Sequence, residues 1–252
     1  MRVFITGASS GLGEGLVRHY AKAGNVVGLC ARRGPLLAEL AESIRASGAR
    51  PIVYPADVSD TAEMQRVTAD FVREAGGVDL VIANAGIGIA HATLAGKSEP
   101  IAKLMQVNVI GVTNTVVPFI PTMVAAGSGT LVAVSSVAGN RGLPGRAAYS
   151  ASKAAVTTFM DALRLDLVGT GVHAMTLCPG FVSTPLTASL PGKLPFVISV
   201  DEAVEQMTSA IGQHAKTFTF PWQVRILSKF LKFAPEPLVR KISPPARTKG
   251  SA

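Results

Sequence analysis

The N-terminal segment of the chain constrains its fold more than any other part. Residues 2–5 form a short β-prone run, and Thr6 to Gly13 follow at once with the sequence T-G-A-S-S-G-L-G. An amphipathic stretch, residues 14–23, comes next. A strand, a glycine-rich turn and a helix in this order direct backbone N–H groups and the positive end of a helix at one point. This order predicts a site for a pyrophosphate group.

Three glycines carry that prediction. Gly7 permits the tight turn, Gly11 lets the backbone approach a phosphate, and Gly13 allows the helix to pack closely on the strand. Their spacing is G-x-x-x-G-x-G, which differs from the commoner G-x-G-x-x-G fingerprint of dinucleotide-binding folds. A glycine turn alone is weak support for a function, so a second motif has to accompany it.

The second motif is a set of a serine, a tyrosine and a lysine. Tyr149 and Lys153 are four residues apart, and Ser136 precedes Tyr149 by thirteen positions. On a helix, positions i and i+4 share a face, so the phenol and the ammonium point into the same space. An isolated tyrosine has a pKa of about 10, and a nearby cation lowers that pKa toward the range of an acid–base catalyst. Taken alone, the pair is as easily an ordinary buried tyrosine beside an exposed lysine.

Joined to the glycine turn, this set resembles the short-chain dehydrogenase/reductase family in its single-domain branch, over roughly residues 2–220. The resemblance implies hydride transfer between a nicotinamide nucleotide and a carbonyl or secondary alcohol. It implies four catalytic residues, which are Asn108, Ser136, Tyr149 and Lys153. Asn108 matches the family's fourth catalytic position, where it would anchor a water molecule in a proton relay.

The positions of the other three residues suggest their roles. Ser136 would hydrogen-bond the substrate carbonyl and stabilise charge on its oxygen, and Tyr149 would give a proton to that oxygen or remove it. Lys153 would hold the ribose hydroxyls and lower the pKa of Tyr149. Ser135 is more typical of a structural hydroxyl, because Ser136 has the family's spacing to Tyr149.

Other segments match the family's nucleotide-contacting motifs in the expected order. Asn84-Ala85-Gly86 closes a hydrophobic strand, Asp57-Val58 matches the pair beside the adenine ring, and residues 179–184 match the segment at the nicotinamide carboxamide. The resemblance implies that the nucleotide is held by Gly7, Ser9, Ser10, Gly11, Leu12, Gly13, Arg32, Arg33, Asp57, Val58, Asn84, Ala85, Gly86, Tyr149, Lys153, Pro179, Gly180, Val182 and Thr184.

The end of the second predicted strand indicates which nicotinamide nucleotide binds. NAD-specific folds of this kind place an acidic residue there to bond the ribose 2′-hydroxyl. Here the strand ends G-L-C-A-R-R, residues 28–33, without a carboxylate. Arg32 and Arg33 suit a 2′-phosphate through their charge and bidentate donors, so NADP(H) is the expected cofactor. The alternative for one of them, Arg33, is a solvated loop arginine.

Strand-like and helix-like segments alternate along the chain, which predicts a three-layer α/β fold with a doubly wound parallel sheet of about seven strands. Strands are expected at residues 3–6, 26–30, 52–54, 80–83, 130–134, 172–178 and 217–220, and helices from near Gly11, Pro35, Thr61, Ile101, Tyr149 and Asp201. We expect one dinucleotide-binding domain over residues 1–242, including a basic amphipathic extension from 222, and a flexible tail at 243–252.

Composition predicts a cytoplasmic protein without a metal. The two cysteines, Cys30 and Cys178, lie in apolar runs and form no disulfide framework, and the four histidines lack ligand spacing. The first strand begins almost at Met1, so no signal peptide is expected before it.

Residues 104–140 contain no charged side chain, which raises the question of a membrane span. Asn108, Asn114, two prolines and a glycine-containing turn interrupt the apolar run, so we expect a long buried helix followed by a strand. In the family that the chain resembles, this helix and the tyrosine-bearing helix pair with a second subunit. The resemblance therefore implies a homodimer or homotetramer.

The substrate is predicted less closely than the reaction. Candidate pocket segments are residues 87–91, 137–146 and 185–197, and the last contains Leu186, Leu190, Leu194 and Phe196. These side chains indicate an apolar small-molecule substrate or an apolar lid, although such leucines often pack on the core instead. Arg141 and Arg146 are solvated surface arginines or partners for an anionic group.

Basic charge is concentrated at the C-terminal end. Residues 216–252 hold eight Lys or Arg and one acid, Glu236, whereas the rest of the chain is nearly neutral. No nucleic-acid-reading module accompanies this charge, so nucleic acid is not expected as a partner. Residues 222–234 read as a helix with a wide apolar arc opposite Arg225, Lys229 and Lys232. Such a helix docks on its own protein, covers a partner subunit or lies peripherally on an anionic membrane.

Three classes of function remain open from the sequence. The first is an NADP(H)-dependent reductase or dehydrogenase of an apolar ketone, aldehyde or alcohol. The second is a nucleotide-binding regulatory or scaffold protein without turnover, which the complete catalytic set disfavours. The third is a sugar-nucleotide epimerase or dehydratase, whose relatives usually add a larger C-terminal substrate domain than the residues after Phe220 can form.

Overall fold

The computed structural model describes residues 1–88, 93, 95–188, 194–237 and 239. The strands are β1 (Arg2–Thr6), β2 (Val26–Ala31), β3 (Arg50–Pro55), β4 (Leu80–Ala83), β5 (Gly129–Val134), β6 (Val172–Pro179) and β7 (Thr217–Phe220). The α-helices are α1 (Gly11–Tyr20), α2 (Gly34–Arg45), α3 (Thr61–Ala75), α4 (Ser98–Met105), α5 (Gly111–Val116), α6 (Ile120–Ala126), α7 (Ala147–Asp166), α8 (Pro185–Ala188), α9 (Val200–Gly212) and α10 (Trp222–Phe233).

All seven strands are parallel and lie in the order β3-β2-β1-β4-β5-β6-β7. The strand order reverses between β1 and β4, and ligands of open α/β sheets bind beyond the carboxyl ends of the strands at such a point. The predicted doubly wound fold is therefore confirmed. The domain limits at 242 and 243 stay predictions, because the tail lies outside the described residues.

Two apolar cores flank the sheet. On one face, α1, α2 and α9 contribute Leu16, Leu37 and Met207, all fully buried. On the other face Phe4 packs between Phe71 and Phe119, with ring centroids 5.2 and 5.1 Å away. Aromatic contacts at these distances contribute about 1 kcal/mol each beyond the burial of their area. The two cores thus hold β1, and the glycine turn that follows its carboxyl end, in a fixed position.

The long helix predicted for the uncharged segment is divided into several helical turns. Residues 98–126 run through α4, a π-helical turn at Gln106–Ile110, α5, a 3₁₀ turn at Val117–Phe119 and α6. This stretch is long and apolar enough to cross a membrane by length and composition, and 39% of its apolar window is buried inside the protein. Its inner side packs on the sheet, since Phe119 and Met123 are fully buried. Ile110, Val117 and Val124 instead remain between 39% and 44% exposed, so the predicted long buried helix is only partly buried in the single chain.

Candidate active site

Two adjoining cavities open at the carboxyl edge of the sheet. The first, about 240 Å³, lies over the glycine turn and the ends of β1, β2 and β4, and the second, about 310 Å³, lies beside α7. They share wall residues, including Leu12, Asn84, Gly86 and Thr184. Every residue predicted to contact the nucleotide lines one of the two cavities, except Gly13.

Gly13 has the packing role that its spacing predicts. A Cβ atom there would lie 2.1 Å from the carbonyl oxygen of Gly7, so no other residue fits between helix α1 and the turn. Gly7 itself has a φ of +68°, the left-handed conformation that glycine adopts without strain. Asn84 ties the turn to the next strand, because its Nδ2 donates to the carbonyl oxygen of Thr6 at 3.1 Å. The turn is therefore shaped before any ligand arrives.

The arginines after β2 differ in their contacts. The Arg33 guanidinium donates to the Ser9 hydroxyl at 3.1 and 2.8 Å and to the Ser10 hydroxyl at 2.7 Å. Arg32 also lines the first cavity. Arg33 is thus bonded to the glycine turn. It is therefore not the solvated loop arginine that the sequence left as an alternative.

The residues of the first cavity fit a nicotinamide dinucleotide. The glycine turn offers backbone N–H groups and the N-terminus of α1 to a pyrophosphate. Arg32 and Arg33 bring two cations to the end of β2, and among β2 and the two residues after it there is no carboxylate to bond a 2′-hydroxyl.

Tyr149 and Ser136 face each other in the second cavity. Ser136 follows β5 in extended conformation, and its Oγ accepts from the N–H of Ala138 at 3.2 Å. Burial raises the pKa of the Tyr149 phenol above its ordinary value, while a hydrogen bond from Ser136 and the charge of Arg146 lower it. Burial is the largest of these effects, so the phenol is strongly held in its protonated form.

Lys153 lies beside Tyr149 and is bonded to the backbone. Its Nζ lies 5.8 Å from the centre of the tyrosine ring and donates to the carbonyl oxygen of Val134 at 2.9 Å. Desolvation by burial lowers the pKa of Lys153 to about 8, so the side chain carries less charge than a surface lysine in weakly basic solution. The charge of Arg146 lowers the Tyr149 pKa. The effect of Lys153 on the same pKa stays a prediction.

Ser135 has the structural role predicted for it. Its hydroxyl donates to the carbonyl oxygen of Lys153 at 2.8 Å and lies 2.9 Å from the hydroxyl of Thr157. These bonds fix β5 against the middle of α7. Ser136 and Lys153, which adjoin this contact, are thereby held at a constant separation.

Asn108 lies fully buried in the π-helical turn. Its Nδ2 donates to the carbonyl oxygen of Ile87 at 2.9 Å and to the Ser152 hydroxyl at 3.2 Å, and its Oδ1 accepts from the Ile87 N–H at 2.8 Å. A Cβ atom on Gly86 would lie 3.4 Å from this Oδ1 and 3.5 Å from Lys153 Nζ. Asn108 therefore clamps the segment after β4 and brings a polar atom close to Lys153.

The outer wall of the second cavity is mostly apolar. It includes Leu143, Pro144, Phe181, Leu186 and Leu194. Arg146 also lines it, whereas the Arg141 guanidinium donates to the carbonyl oxygen of Lys232 at 3.4 Å, outside the wall. Of the predicted pocket segments, residues 89–91 and 189–193, with Leu190, lie outside the described residues.

Three contacts at the site escaped prediction. Ser152 bonds Asn108, Thr6 accepts from the N–H groups of Asn84 and Ala85 at 3.2 and 3.3 Å, and Arg146, named from the sequence only as a surface arginine or a partner for an anionic group, acts on Tyr149. A signal existed only for Arg146, which precedes Tyr149 by three residues. The other two contacts join positions far apart in the chain, so no local pattern reports them.

Comparison with known proteins gives a consistent result. The sequence profile of a family described as short chain dehydrogenase matches residues 1–194. An uncharacterized oxidoreductase of Myxococcus xanthus is 42% identical over 235 residues, which cover 93% of this chain and 92% of that protein.

Solved structures agree with this match. A short-chain dehydrogenase from Sphingobium yanoikuyae in complex with NADPH has a TM-score of 0.82 at 27% identity, with coverage of 100% of this chain and 98% of the other. A short chain dehydrogenase/reductase from Burkholderia phymatum in complex with NAD has a TM-score of 0.84 at 25% identity, with coverage of 91% and 92%.

Proposed function

Because the chain belongs to the short-chain dehydrogenase family, we propose that it is an NADP(H)-dependent oxidoreductase of a carbonyl or secondary alcohol in an apolar small molecule. One observation carries the proposal: Ser136, Tyr149 and Lys153 line one cavity that shares its wall with the cleft over the glycine turn. The arrangement places a proton donor, a hydroxyl that bonds a carbonyl, and a nucleotide site side by side.

The chemistry follows from the side chains on the substrate side. When bound across the two cavities, a nicotinamide nucleotide would supply a hydride to the carbonyl carbon or accept one from the alcohol. Ser136 donates a hydrogen bond to the carbonyl oxygen and stabilises the negative charge that develops there. Tyr149 donates its phenolic proton to that oxygen in reduction, and the resulting phenolate takes the proton back in oxidation.

Burial favours the protonated phenol, the form that donates a proton in reduction. Lys153, buried beside Gly86 at the wall common to both cavities, would bond the ribose hydroxyls and pass a proton toward Tyr149. Asn108 holds Ile87 and, through its Oδ1 near Lys153, would anchor a water molecule that reconnects this chain to solvent. These roles are proposed from the contacts and the family resemblance.

Arg32 and Arg33 support NADP(H) over NAD(H). They bring charge and forked donors to the end of β2, where no carboxylate is available for a 2′-hydroxyl. The NADPH complex of the Sphingobium protein is compatible with this preference, whereas the Burkholderia protein binds NAD. The preference therefore rests on the arginines of this chain.

The side chains that enclose the space in front of Tyr149 support an apolar substrate. They are Leu143, Phe181, Leu186 and Leu194.

We place the enzyme in the cytoplasm, where the buried free thiols Cys30 and Cys178 stay reduced. We also propose a homodimer or larger oligomer, formed through the exposed apolar stripe of residues 98–126.

The direct test follows NADPH absorbance with a panel of aliphatic, aromatic and steroid-like ketones and aldehydes. The wild-type protein should oxidise NADPH, and Tyr149→Phe should lose at least about a hundredfold in kcat because the proton donor is gone. Tyr20→Phe is the matched control, since this buried tyrosine lies on α1 outside both cavities.

Full turnover by Tyr149→Phe would remove the proposed mechanism. Tight NADPH binding without turnover, on this panel and with the corresponding alcohols and NADP⁺, would favour the alternative of a regulatory or scaffold protein.

A further inference from the structure

Helix α10 docks on the protein by only part of its apolar surface. Val224 and Ser228 are buried, and Leu227 and Leu231 are half-buried. Val224 lies against Gly180: a Cβ atom added to Gly180 would come 2.9 Å from Cγ2 of Val224. Docking therefore occurs, as one interpretation of the sequence predicted, and it places α10 beside the second cavity, because Gly180 lines that cavity.

The outer face of α10 carries four large apolar side chains in solvent. Trp222 is 64% exposed, Ile226 59%, Phe230 58% and Phe233 82%. At 100° per residue these four positions fall within an arc of about 80°, so they form one continuous stripe. We call this set the α10 stripe. Isolated surface apolar residues are ordinary, but three aromatic rings and an isoleucine on one exposed helix face require an explanation.

Three exposed cations border the α10 stripe. Arg225, Lys229 and Lys232 occupy the adjacent arc of about 60°, on the same solvent side of the helix. The helix contains no acidic residue. Cations beside large aromatic and aliphatic side chains are the pattern of a helix that lies in a membrane interface, with rings in the headgroup region and ammonium groups on anionic lipid.

We propose that the α10 stripe is a peripheral membrane-binding surface for anionic phospholipid. A second copy of the chain is a poorer occupant, because a two-fold contact through this face would bring the same cations of both copies together. Nucleic acid is poorer still, because the apolar stripe would stay uncovered on a phosphate backbone. Charge complementarity and the aromatic content both favour the lipid surface.

The protein contains its own probe of this contact. Trp222 is the single tryptophan of the chain and lies in the α10 stripe. Its fluorescence should shift to shorter wavelength when the full-length protein meets vesicles of phosphatidylcholine with about a third phosphatidylglycerol, because the indole leaves water. Vesicles of phosphatidylcholine alone should produce much less of this shift. Co-sedimentation should parallel the fluorescence and weaken as salt is added.

Variants separate the surface from general charge. Arg225→Glu/Lys229→Glu should weaken vesicle binding by at least about 25-fold, since each cation near such a surface contributes about fivefold. Trp222→Ser/Phe230→Ser, measured by co-sedimentation, should weaken vesicle binding at least tenfold, because it removes apolar area that the lipid would bury. Lys22→Glu/Arg66→Glu makes the same change in net charge at exposed positions on α3 and after α1, and should alter binding by less than about threefold.

Retained NADPH binding in each variant shows that the fold is intact, and no step of this test needs turnover. Absence of both the Trp222 shift and co-sedimentation at low salt would overturn the proposal. Equal weakening by the Lys22/Arg66 pair would also overturn it, because attraction would then be nonspecific. A second copy would cover the stripe if Trp222 emitted at short wavelength in lipid-free protein and Phe230→Ser abolished both this emission and self-association. That result would also overturn the proposal.

Discussion

Arg146 is a charged neighbour of Tyr149 in the second cavity. Its charge lowers the pKa of the phenol, against the larger effect of burial that raises it. Arg146→Gln should therefore raise the Tyr149 pKa and reduce the phenolate that alcohol oxidation requires. We expect the ascending limb of the pH profile of kcat/KM for oxidation to move to higher pH, with a severalfold loss at neutral pH.

The control for this prediction is Arg141→Gln, on the same loop but bonded to the carbonyl oxygen of Lys232. Its pH profile should match the wild-type profile. A loss in Arg146→Gln that is equal at all pH values would show that Arg146 holds the substrate and does not tune the phenol.

The burial of Lys153 destabilises the folded protein. Its pKa is about 8 in the folded protein, against an ordinary value of 10.5, because burial removes its water. Between these values the unfolded chain binds more protons than the folded chain, so the stability of the wild-type protein gains from rising pH in this window. At pH 7 the buried ammonium carries the full penalty. Lys153→Met should raise the free energy of unfolding there by on the order of 2 kcal/mol and abolish activity.

Urea unfolding of both proteins at several pH values measures this effect. The advantage of Lys153→Met should shrink from about pH 8 to about pH 10.5, the range between the two pKa values. Lys22→Met, an exposed counterpart, should show neither the gain nor the pH dependence. Destabilisation by Lys153→Met at neutral pH would contradict the argument and show that the bond to Val134 outweighs desolvation.

Arg33 should decide between the two nicotinamide nucleotides. Arg33→Ala removes a cation at the end of β2 and the bonds to Ser9 and Ser10. We expect KM for NADPH to rise about tenfold to a hundredfold, the usual loss for charge-assisted bonds to phosphate, and KM for NADH to change far less. Arg33→Lys keeps the charge without the fork and should fall between. Equal losses with both nucleotides would mean that Arg33 only supports the turn.

At the scale of elements, the π-helical turn around Asn108 is the part of the site most dependent on one side chain. Asn108→Ala would leave the partly buried N–H and C=O groups of Ile87 without their partners. Each such loss costs about 1 to 3 kcal/mol, so we expect a fall of roughly 2 to 4 kcal/mol in the free energy of unfolding. Calorimetry checks this, with the half-buried Asn140→Ala as the control, expected within about 0.5 kcal/mol. An Asn108→Ala protein as stable as the wild type would show that the turn does not depend on the Asn108 side chain.

The elements also show how far local sequence predicts structure. The predicted limits of β4 and β7 match the structure, because a short apolar run between polar residues has few alternatives. The π turn could not be predicted. It adds one residue to a helical turn, and residues 104–116 are apolar on most sides, so no shift in the apolar pattern marks the extra residue. The residues around Tyr149 were predicted, but the raised pKa of the phenol was not, because burial is its largest cause and depends on the packing of distant elements.

At the scale of the whole molecule, two of the exposed apolar surfaces on the described part of the single chain can be compared. One is the α10 stripe, and the other is formed by Ile110, Val117 and Val124, seven residues apart along residues 98–126. The second surface has no charged residue between Leu104 and Ala126, so nothing on it repels an identical copy. The two surfaces therefore differ in the partner they suit, and only the uncharged one is suited to self-association.

This difference predicts that the protein is an oligomer and that Val117→Asp/Val124→Asp makes it monomeric. A two-fold interface would bury four unpaired carboxylates, each at a cost of several kcal/mol, which exceeds what the remaining apolar contacts recover. Light scattering after size exclusion measures the mass, and Leu36→Asp, an equally exposed apolar position on α2, should leave it unchanged. Trp222 fluorescence should be the same in dimer and monomer, because the α10 stripe takes no part in this interface. A wild-type monomer, or a variant that keeps the wild-type mass, would show that this surface has another purpose.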